Sequence, residues 1–376
     1  MIQRILLENI NRKLFNNKAI VLLGPRQVGK TTVLKQLAKQ NNKVLWINAD
    51  NIEDRALMSQ PSSTRFKALF AAYDVVIIDE AQRIKDIGVK LKLITDELPN
   101  IQLIATGSSS FELSNSINES LTGRKFEYQM FPLSFDELVN NSNLLDELKM
   151  LNQRLIYGSY PDVINNGGNE KEILQQLTNS YLYKDILEWN RIKKSDKLIK
   201  LLQAISFQVG NQVSYYELGQ TVGLNSETVE SYINLLEQSF VLFRLSSFSR
   251  NLRNELKKSH KIYFYDNGVR NALIANYNPI ELRNDVGALW ENYLISERIK
   301  YCEYNKIYSN KFFWRTHAGQ EIDYIEEREG KLFAFEFKWN SNKKVKIPTA
   351  FKKAYSDYEF KLINKENYET FISDIS

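Results

Sequence analysis

An α/β fold built on a parallel sheet is what this sequence predicts, and three observations predict it. Short apolar runs at 19–23, 43–48, 74–78 and 101–105 alternate with helix-like stretches, the βαβ pattern of a parallel sheet. The first run leads directly into Gly24-Pro25-Arg26-Gln27-Val28-Gly29-Lys30-Thr31-Thr32, which opens a helix. The third ends in the acidic pair Asp79-Glu80. Ligands of such sheets bind at the carboxyl ends of the strands, where both motifs fall.

A glycine-bearing loop between a strand and a helix, closed by Lys-Thr, is a phosphate-binding loop. The expected ligands are therefore ATP and Mg²⁺. Backbone amides around Gly24 to Lys30 would cradle the β-phosphate within the nucleotide-binding stretch 24–32, and side chains in place of the glycines would block that approach. Lys30 would neutralise the β and γ oxygens, and the Thr31 hydroxyl would ligate the metal. Asp79 would hold Mg²⁺ through its water shell, while Glu80 would orient and polarise the attacking water. One strand, 43–48, interposed between the two motifs, together with that adjacent glutamate, favours the ATPase branch of phosphate-loop folds over the small-GTPase branch. Past the run 101–105 comes Thr106-Gly107-Ser108-Ser109-Ser110, where Ser108 first and Thr106 second are candidates to sense the γ-phosphate. A fifth strand is expected at 126–131. Arg124, in Leu121-Thr122-Gly123-Arg124, is the candidate to reach a neighbouring subunit's nucleotide, which implies a homo-oligomer.

With 376 residues the chain is too long for one core. The expected division is 1–136 for the ATPase core, 137–194 for a helical lid, 195–268 for a winged helix and 269–376 for a last α/β domain. A single cysteine, Cys302, excludes an internal disulfide and a cysteine-rich metal site. Two histidines, His260 and His317, argue against zinc and histidine catalysis. No apolar run reaches membrane-span length and Met1-Ile2-Gln3-Arg4 lacks a signal-peptide core, so a cytoplasmic protein without a membrane partner is expected.

The net charge of +5 is unevenly spread. Between Arg244 and Arg270 seven basic residues (Arg244, Arg250, Arg253, Lys257, Lys258, Lys261, Arg270) face two acidic ones, an excess as large as the whole chain's. Such a patch attracts polyanions. Around it the pattern is helical at 197–209 and 214–222, the latter starting at Ser214 with Glu217 three residues on. Gly223-Leu224 turns the chain, Ser226-Glu227-Thr228 caps a helix to about 238, and strands follow at 240–245 and 261–265. This order reads as helix-turn-helix plus wing. The third helix would enter a major groove, and Arg250, Arg253, Lys257 and Lys258 would contact phosphates, making DNA the expected partner. That helix carries Glu227, Glu230 and Glu237 and no cation, so the wing is the favoured contact. The preceding stretch, 138–187, reads as helices of a lid behind the nucleotide, with Lys184-Asp185 as a structural ion pair.

In the last third, a helix at 285–301 carries Glu291, and strands are expected at 311–315, 321–325 and 331–338. Glu336 and Lys338 stand two apart and so share a face. A turn at Glu329-Gly330 brings Asp323 of the preceding strand toward Glu336. Two such carboxylates can hold Mg²⁺, and Lys338 beside them can lower the pKa of an attacking water or neutralise the scissile phosphate. The alternative is a cross-strand ion pair.

Taken together, Gly24 to Thr32, Asp79-Glu80-Ala81-Gln82-Arg83, Thr106-Gly107-Ser108-Ser109, Thr122-Gly123-Arg124, Phe131-Pro132-Leu133-Ser134-Phe135, Tyr157-Gly158-Ser159-Tyr160-Pro161 and Ser180-Tyr181-Leu182-Tyr183-Lys184-Asp185-Ile186 resemble a prokaryotic AAA+-type ATPase family of the P-loop class. Its C-terminal region is classed as a domain of unknown function. Asp323, Glu336 and Lys338 resemble a PD-(D/E)XK nuclease core, which implies Glu291 as a helix-borne fourth member of the metal site, with Ile322 where the family name has proline. The resemblance implies an ATPase. The leading expectation is an ATP-driven DNA-processing enzyme with metal-dependent cleavage; the alternatives are a nucleotide-dependent switch with an inactive nuclease-like domain and a DNA-binding regulator.

Overall fold

A computed structural model of the chain describes residues 2–108, 120–179, 195–249, 260–342 and 345–373. The expected wing contacts Arg250, Arg253, Lys257 and Lys258, as well as Ser109, Ser110, Lys184 and Asp185, lie outside the described residues. Two compact units emerge, Met1–Leu133 with Gln238–Phe240 and Ser134–Glu237 with Val241–Ser376. The sequence reading divides the second of these into three segments.

The first unit is a five-stranded sheet of β1 (Ala19–Leu23), β2 (Val44–Asn48), β3 (Val75–Asp79), β4 (Gln102–Gly107) and β5 (Lys125–Gln129). All are parallel, in the order β2-β3-β4-β1-β5. Every residue of β1, β3 and β4 is buried, which is why these strands read as unbroken apolar runs. Register fixes the functional end: Leu23 stands beside Gly107 and Gln129, and Ile78 beside Ala105. The phosphate loop, Asp79-Glu80 and Ser108 thus leave the sheet at one edge. The strand between the two motifs in sequence, β2, lies at the sheet's border. The strand between them in space is β4.

Among the described residues of the second unit, seven strands run in the order β12-β11-β10-β9-β7-β8-β6. They are β6 (Gln212–Val213), β7 (Leu242–Ser247), β8 (His260–Phe264), β9 (Asn310–Arg315), β10 (Glu321–Arg328), β11 (Lys331–Phe337) and β12 (Tyr358–Ile363). The expected turn at Glu329-Gly330 joins β10 to β11, both residues having positive φ. β12, which the sequence reading lacks, pairs in parallel with β11 and makes that strand interior. Helices Ser195–Phe207, Tyr215–Val222 and Ser226–Gln238 stand with β6, β7 and β8, where β8 is antiparallel to both β6 and β7. Ser214 caps the second helix as expected, accepting from the Glu217 amide. The third is capped by Asn225 and not Ser226: the Asn225 side chain accepts from the Thr228 amide.

The strands β7 and β8 are the wall between two cores. Leu242, Ile262 and Phe264 pack with the three helices, around Leu201, Ile205 and Leu236. Phe243, Leu245 and Tyr263, of opposite parity, pack with Trp290, Tyr293 and Phe335. β7 also pairs with β9, so the segments 195–268 and 269–376 share one sheet. Leu151 and Leu155, from the stretch expected to form a lid, join that second core.

The Tyr157-Gly158-Ser159-Tyr160-Pro161 motif has a structural explanation. Gly158 has φ 71° and ψ −156°, a conformation essentially restricted to glycine. A Cβ there would lie 2.0 Å from an Asp266 carboxylate oxygen. Asp266 accepts from the Ser159 amide at 2.7 Å and caps the Asn267–Leu273 helix through Val269 N at 3.1 Å. Lys300 Nζ donates to Ser159 Oγ at 3.1 Å and to Glu297 at 2.6 Å. Burial pushes the Asp266 carboxyl upward, although Lys300 and the backbone donors pull it down. Gly158→Ala is therefore expected to destabilise this unit by about 3–5 kcal/mol. A lowered unfolding transition in calorimetry of the full chain is the expected result, and an unchanged thermogram contradicts it.

Candidate functional site

At the phosphate loop, sequence and sterics leave little freedom. A Cβ on Gly24 would lie 2.1 Å from the Met130 carbonyl oxygen, so only glycine lets the loop pass the end of β5. Gly29, at φ 98°, precedes the Lys30–Lys39 helix and has no side chain to cap it. A helix start that carries no side-chain cap can receive an acceptor such as a phosphate on its leading amides. The helix is held from behind by Val33, Leu34 and Leu37, all buried. Lys30 is folded over the loop, donating to the carbonyls of Gly24 and Pro25 at 2.8 Å each.

The acidic motif faces the loop. Asp79 accepts from the Thr31 hydroxyl at 2.9 Å through one oxygen and from the Thr106 hydroxyl at 2.6 Å through the other. Thr106 Oγ1 in turn accepts from the Glu80 amide at 3.2 Å. The first choice for γ-phosphate sensing, Ser108, is buried and accepts from Gln82 Nε2 at 3.0 Å. The same Gln82 nitrogen donates to the Glu80 carboxylate. Glu80 adopts φ 53°, the left-handed region, which turns the chain sharply at the end of β3. The donor set of Thr31, Asp79 and loop amides suits the hard cation and phosphate oxygens of Mg·ATP.

Two residues at this site escape the sequence reading. Gln82 lies within the quoted motif, and its signal is only its proximity to Glu80. Arg4 is buried and donates to the carbonyl of Val28 in the loop, and at 2.7 Å to that of Phe131. Nothing local marks it, because its partners are 24 and 127 residues away.

Arg124 stands elsewhere. Its carbonyl accepts from the Ala19 amide at the start of β1, the end of the sheet opposite the phosphate loop. Its half-exposed side chain pairs with Asp96 at 2.6 Å. The basic patch is also smaller than composition suggests. Arg244 bonds Tyr215 and Asn234 and pairs with Glu237, and Arg270 pairs with Asp285 at 2.6 Å. Lys261 is buried. None of the three adds to an exposed cationic surface.

In the second unit Asp323, Glu336 and Lys338 come together as expected. Lys338 Nζ is 2.6 Å from Glu336 and 3.8 Å from Asp323, and Asp323 also accepts from the Phe337 amide at 2.8 Å. A register shift between Ile322 and Ile325 in the pairing of β10 with β9 places Asp323 at a bulge, a device that re-aims a side chain. Glu291, on the Val286–Tyr304 helix, is engaged differently: it accepts from Tyr263 OH at 2.5 Å and from Lys261 Nζ at 3.1 Å. Lys261 also pairs with Glu321 at 2.5 Å. Lys261 and Glu321 are absent from the expected site. Their signal is strand parity, two residues from Tyr263 and Asp323 respectively.

Burial raises the Glu291 carboxyl to about 7, with Lys261 opposing and Asp323 reinforcing. Burial likewise raises Asp323, and burial together with Asp323 raises Glu336. For Lys261 and Lys338 burial acts downward, but the surrounding carboxylates outweigh it and hold both above the ordinary lysine value. Among the described residues no three His, Cys, Asp or Glu side chains stand in a metal-holding arrangement, so Glu291, Asp323 and Glu336 are not gathered as one.

Comparison with known proteins agrees with this architecture. Residues 16–139 match the AAA domain family, and 148–279 and 286–371 match two domains of unknown function (DUF8612 and DUF4143). An uncharacterized protein of Mycobacterium tuberculosis is 24% identical over 341 residues, 89% of this chain and 74% of that protein. Another, of Methanocaldococcus jannaschii, is 24% identical over 388 residues, 96% and 84% of the two chains. Among solved structures, a Walker-type ATPase of Pyrococcus abyssi is similar with a TM-score of 0.50 at 17% identity, covering 73% of this chain and 96% of that one. Among the described residues no helix is long and apolar enough to cross a membrane. The N-terminal part of this chain has the fold of a P-loop AAA-type ATPase.

Proposed function

We propose that the first unit binds and hydrolyses ATP with Mg²⁺, and that its nucleotide state controls DNA binding by the second unit. The observation that carries this reading is the pair of threonine hydroxyls on Asp79, with Glu80 beside them. The bound nucleotide would supply the phosphoanhydride and its metal the charge neutralisation. Amides of the loop 24–32, Pro25 excepted for want of an N–H, would position the phosphates, and Lys30 would exchange its two carbonyls for their oxygens. Thr31 and Asp79 would hold the metal side. Glu80 accepts the proton of the attacking water. Because Thr106 is committed to Asp79 and Glu80, Ser108 is the better sensor, and Gln82 links it to Glu80. Arg124, remote from its own loop, would act on a neighbouring copy in an oligomer.

Three helices with the antiparallel strands β6, β8 and β7 follow the element order of a winged helix. That order, and the cationic run Arg250, Arg253, Lys257 and Lys258 between β7 and β8, support DNA as the partner. Cleavage is not part of this reading, because lysines already neutralise the acidic cluster. A nucleotide-dependent switch carrying an inactive nuclease-like fold is therefore preferred over a nuclease.

Lys30→Ala should abolish ATP hydrolysis by purified protein, whereas a full rate in that variant contradicts the assignment. Gln82→Ala should bind a fluorescent ATP analogue normally but hydrolyse ATP up to roughly 100-fold more slowly, because the base is no longer held in place. Equal loss of binding and turnover would make Gln82 merely structural. Replacing Arg250, Arg253, Lys257 and Lys258 by alanine should weaken duplex DNA binding in anisotropy titrations. It should also flatten the salt dependence by about 0.9 in log–log slope for each lost phosphate contact. An unchanged slope would remove DNA contact from this segment.

A further inference from the structure

We infer that the Lys261 ammonium occupies the position a divalent cation would take in the acidic cluster of the second unit. The cluster is thereby a closed ion-pair lattice and not a metal centre. Four carboxylates line the cluster, linked through their cations and not converging on one point: Glu291 from the Val286–Tyr304 helix, Glu321 and Asp323 from β10, and Glu336 from β11. Three cations answer them: Lys261 from β8, Lys338 just past β11, and Arg315 at the end of β9, 3.4 Å from Glu321.

Lys261 holds the inner position. Its side chain is 2% exposed, and Nζ lies 2.5 Å from Glu321, 3.1 Å from Glu291 and 5.3 Å from the centre of the Phe313 ring. Strand parity explains why it points inward, since it shares a face of β8 with the buried Tyr263. On each of the carboxylates Glu291, Asp323 and Glu336 one oxygen is committed as well. One Glu291 oxygen takes both Lys261 and Tyr263, one Asp323 oxygen takes the Phe337 amide with Lys338 alongside, and one Glu336 oxygen takes Lys338. Mg²⁺ demands oxygens converging in near-octahedral geometry, and the buried ammonium held by Glu291 and Glu321 repels a dication brought to their oxygens. The donors of a nuclease-like site are present, but their arrangement does not fit the metal. Removing a partner from a buried ion pair leaves an uncompensated charge, so the lattice also ties β8 to β10 and the helix.

The test needs no nucleotide, so its result is separable from the ATPase reading. Mn²⁺ would be titrated by electron paramagnetic resonance into the full chain as wild type, Asp323→Asn, Lys261→Gln and the Lys261→Gln/Asp323→Asn double variant, with supercoiled plasmid cutting in Mn²⁺ followed in parallel. Wild type and Asp323→Asn should take up Mn²⁺ identically and leave the plasmid intact. Lys261→Gln should gain one Mn²⁺ per chain, and adding Asp323→Asn should remove it. Wild-type Mn²⁺ uptake or plasmid nicking that Asp323→Asn abolishes would overturn the inference, and that comparison holds even if Lys261→Gln does not fold. A folded Lys261→Gln that gains no Mn²⁺ would equally overturn it.

Discussion

The first unit turns on a single carboxylate shared by two hydroxyls. Asp79, at the end of a wholly buried strand, accepts from Thr31 at the start of the loop helix and from Thr106 on the neighbouring strand. Three chain segments far apart in sequence are thereby held at one point. A buried carboxylate is tolerable only when its lone pairs are satisfied, so the burial of β3 itself enforces this geometry. In the proposed mechanism the same contacts pre-order the metal ligands. Glu80 follows from the constraint too, since its amide is held by Thr106 and its carboxylate by Gln82. On this proposal the catalytic base is aimed before any ligand arrives.

The second unit depends on a different economy of contacts. β7 and β8 give one face to the three helices and the other to the aromatic core around Trp290 and Phe335. A separate winged helix would leave that second face in water. Because it is instead buried, Lys261 is carried into the acidic cluster and not onto an exposed surface. The shared sheet and the lysine-filled cluster are thus consequences of one alternation pattern.

Local motifs were the most legible part of the sequence. The strands β1, β3 and β4 appear within one or two residues of their expected ends because strands buried on both faces leave continuous apolar runs. The phosphate loop is equally plain, since a tight glycine turn is a short-range requirement. Strand order is not local: sequence puts β2 between the motifs, whereas pairing puts β4 there. Arg4 was invisible for the same reason. Composition misled at Arg244, Lys261 and Arg270, where a count of charges said surface and the structure gives each an internal carboxylate. β12 has alternating exposure and no long apolar run, so it left only a weak trace.

The central claim, that Asp79 and Thr31 form a ready-made metal seat beside the loop, is tested most directly by calorimetric titration of ADP with and without magnesium. Wild type should bind ADP more tightly with magnesium than with a chelator. Thr31→Val should bind ADP with the same affinity under both conditions. Absence of ADP binding by folded wild type, or an undiminished magnesium dependence in Thr31→Val, would contradict the account.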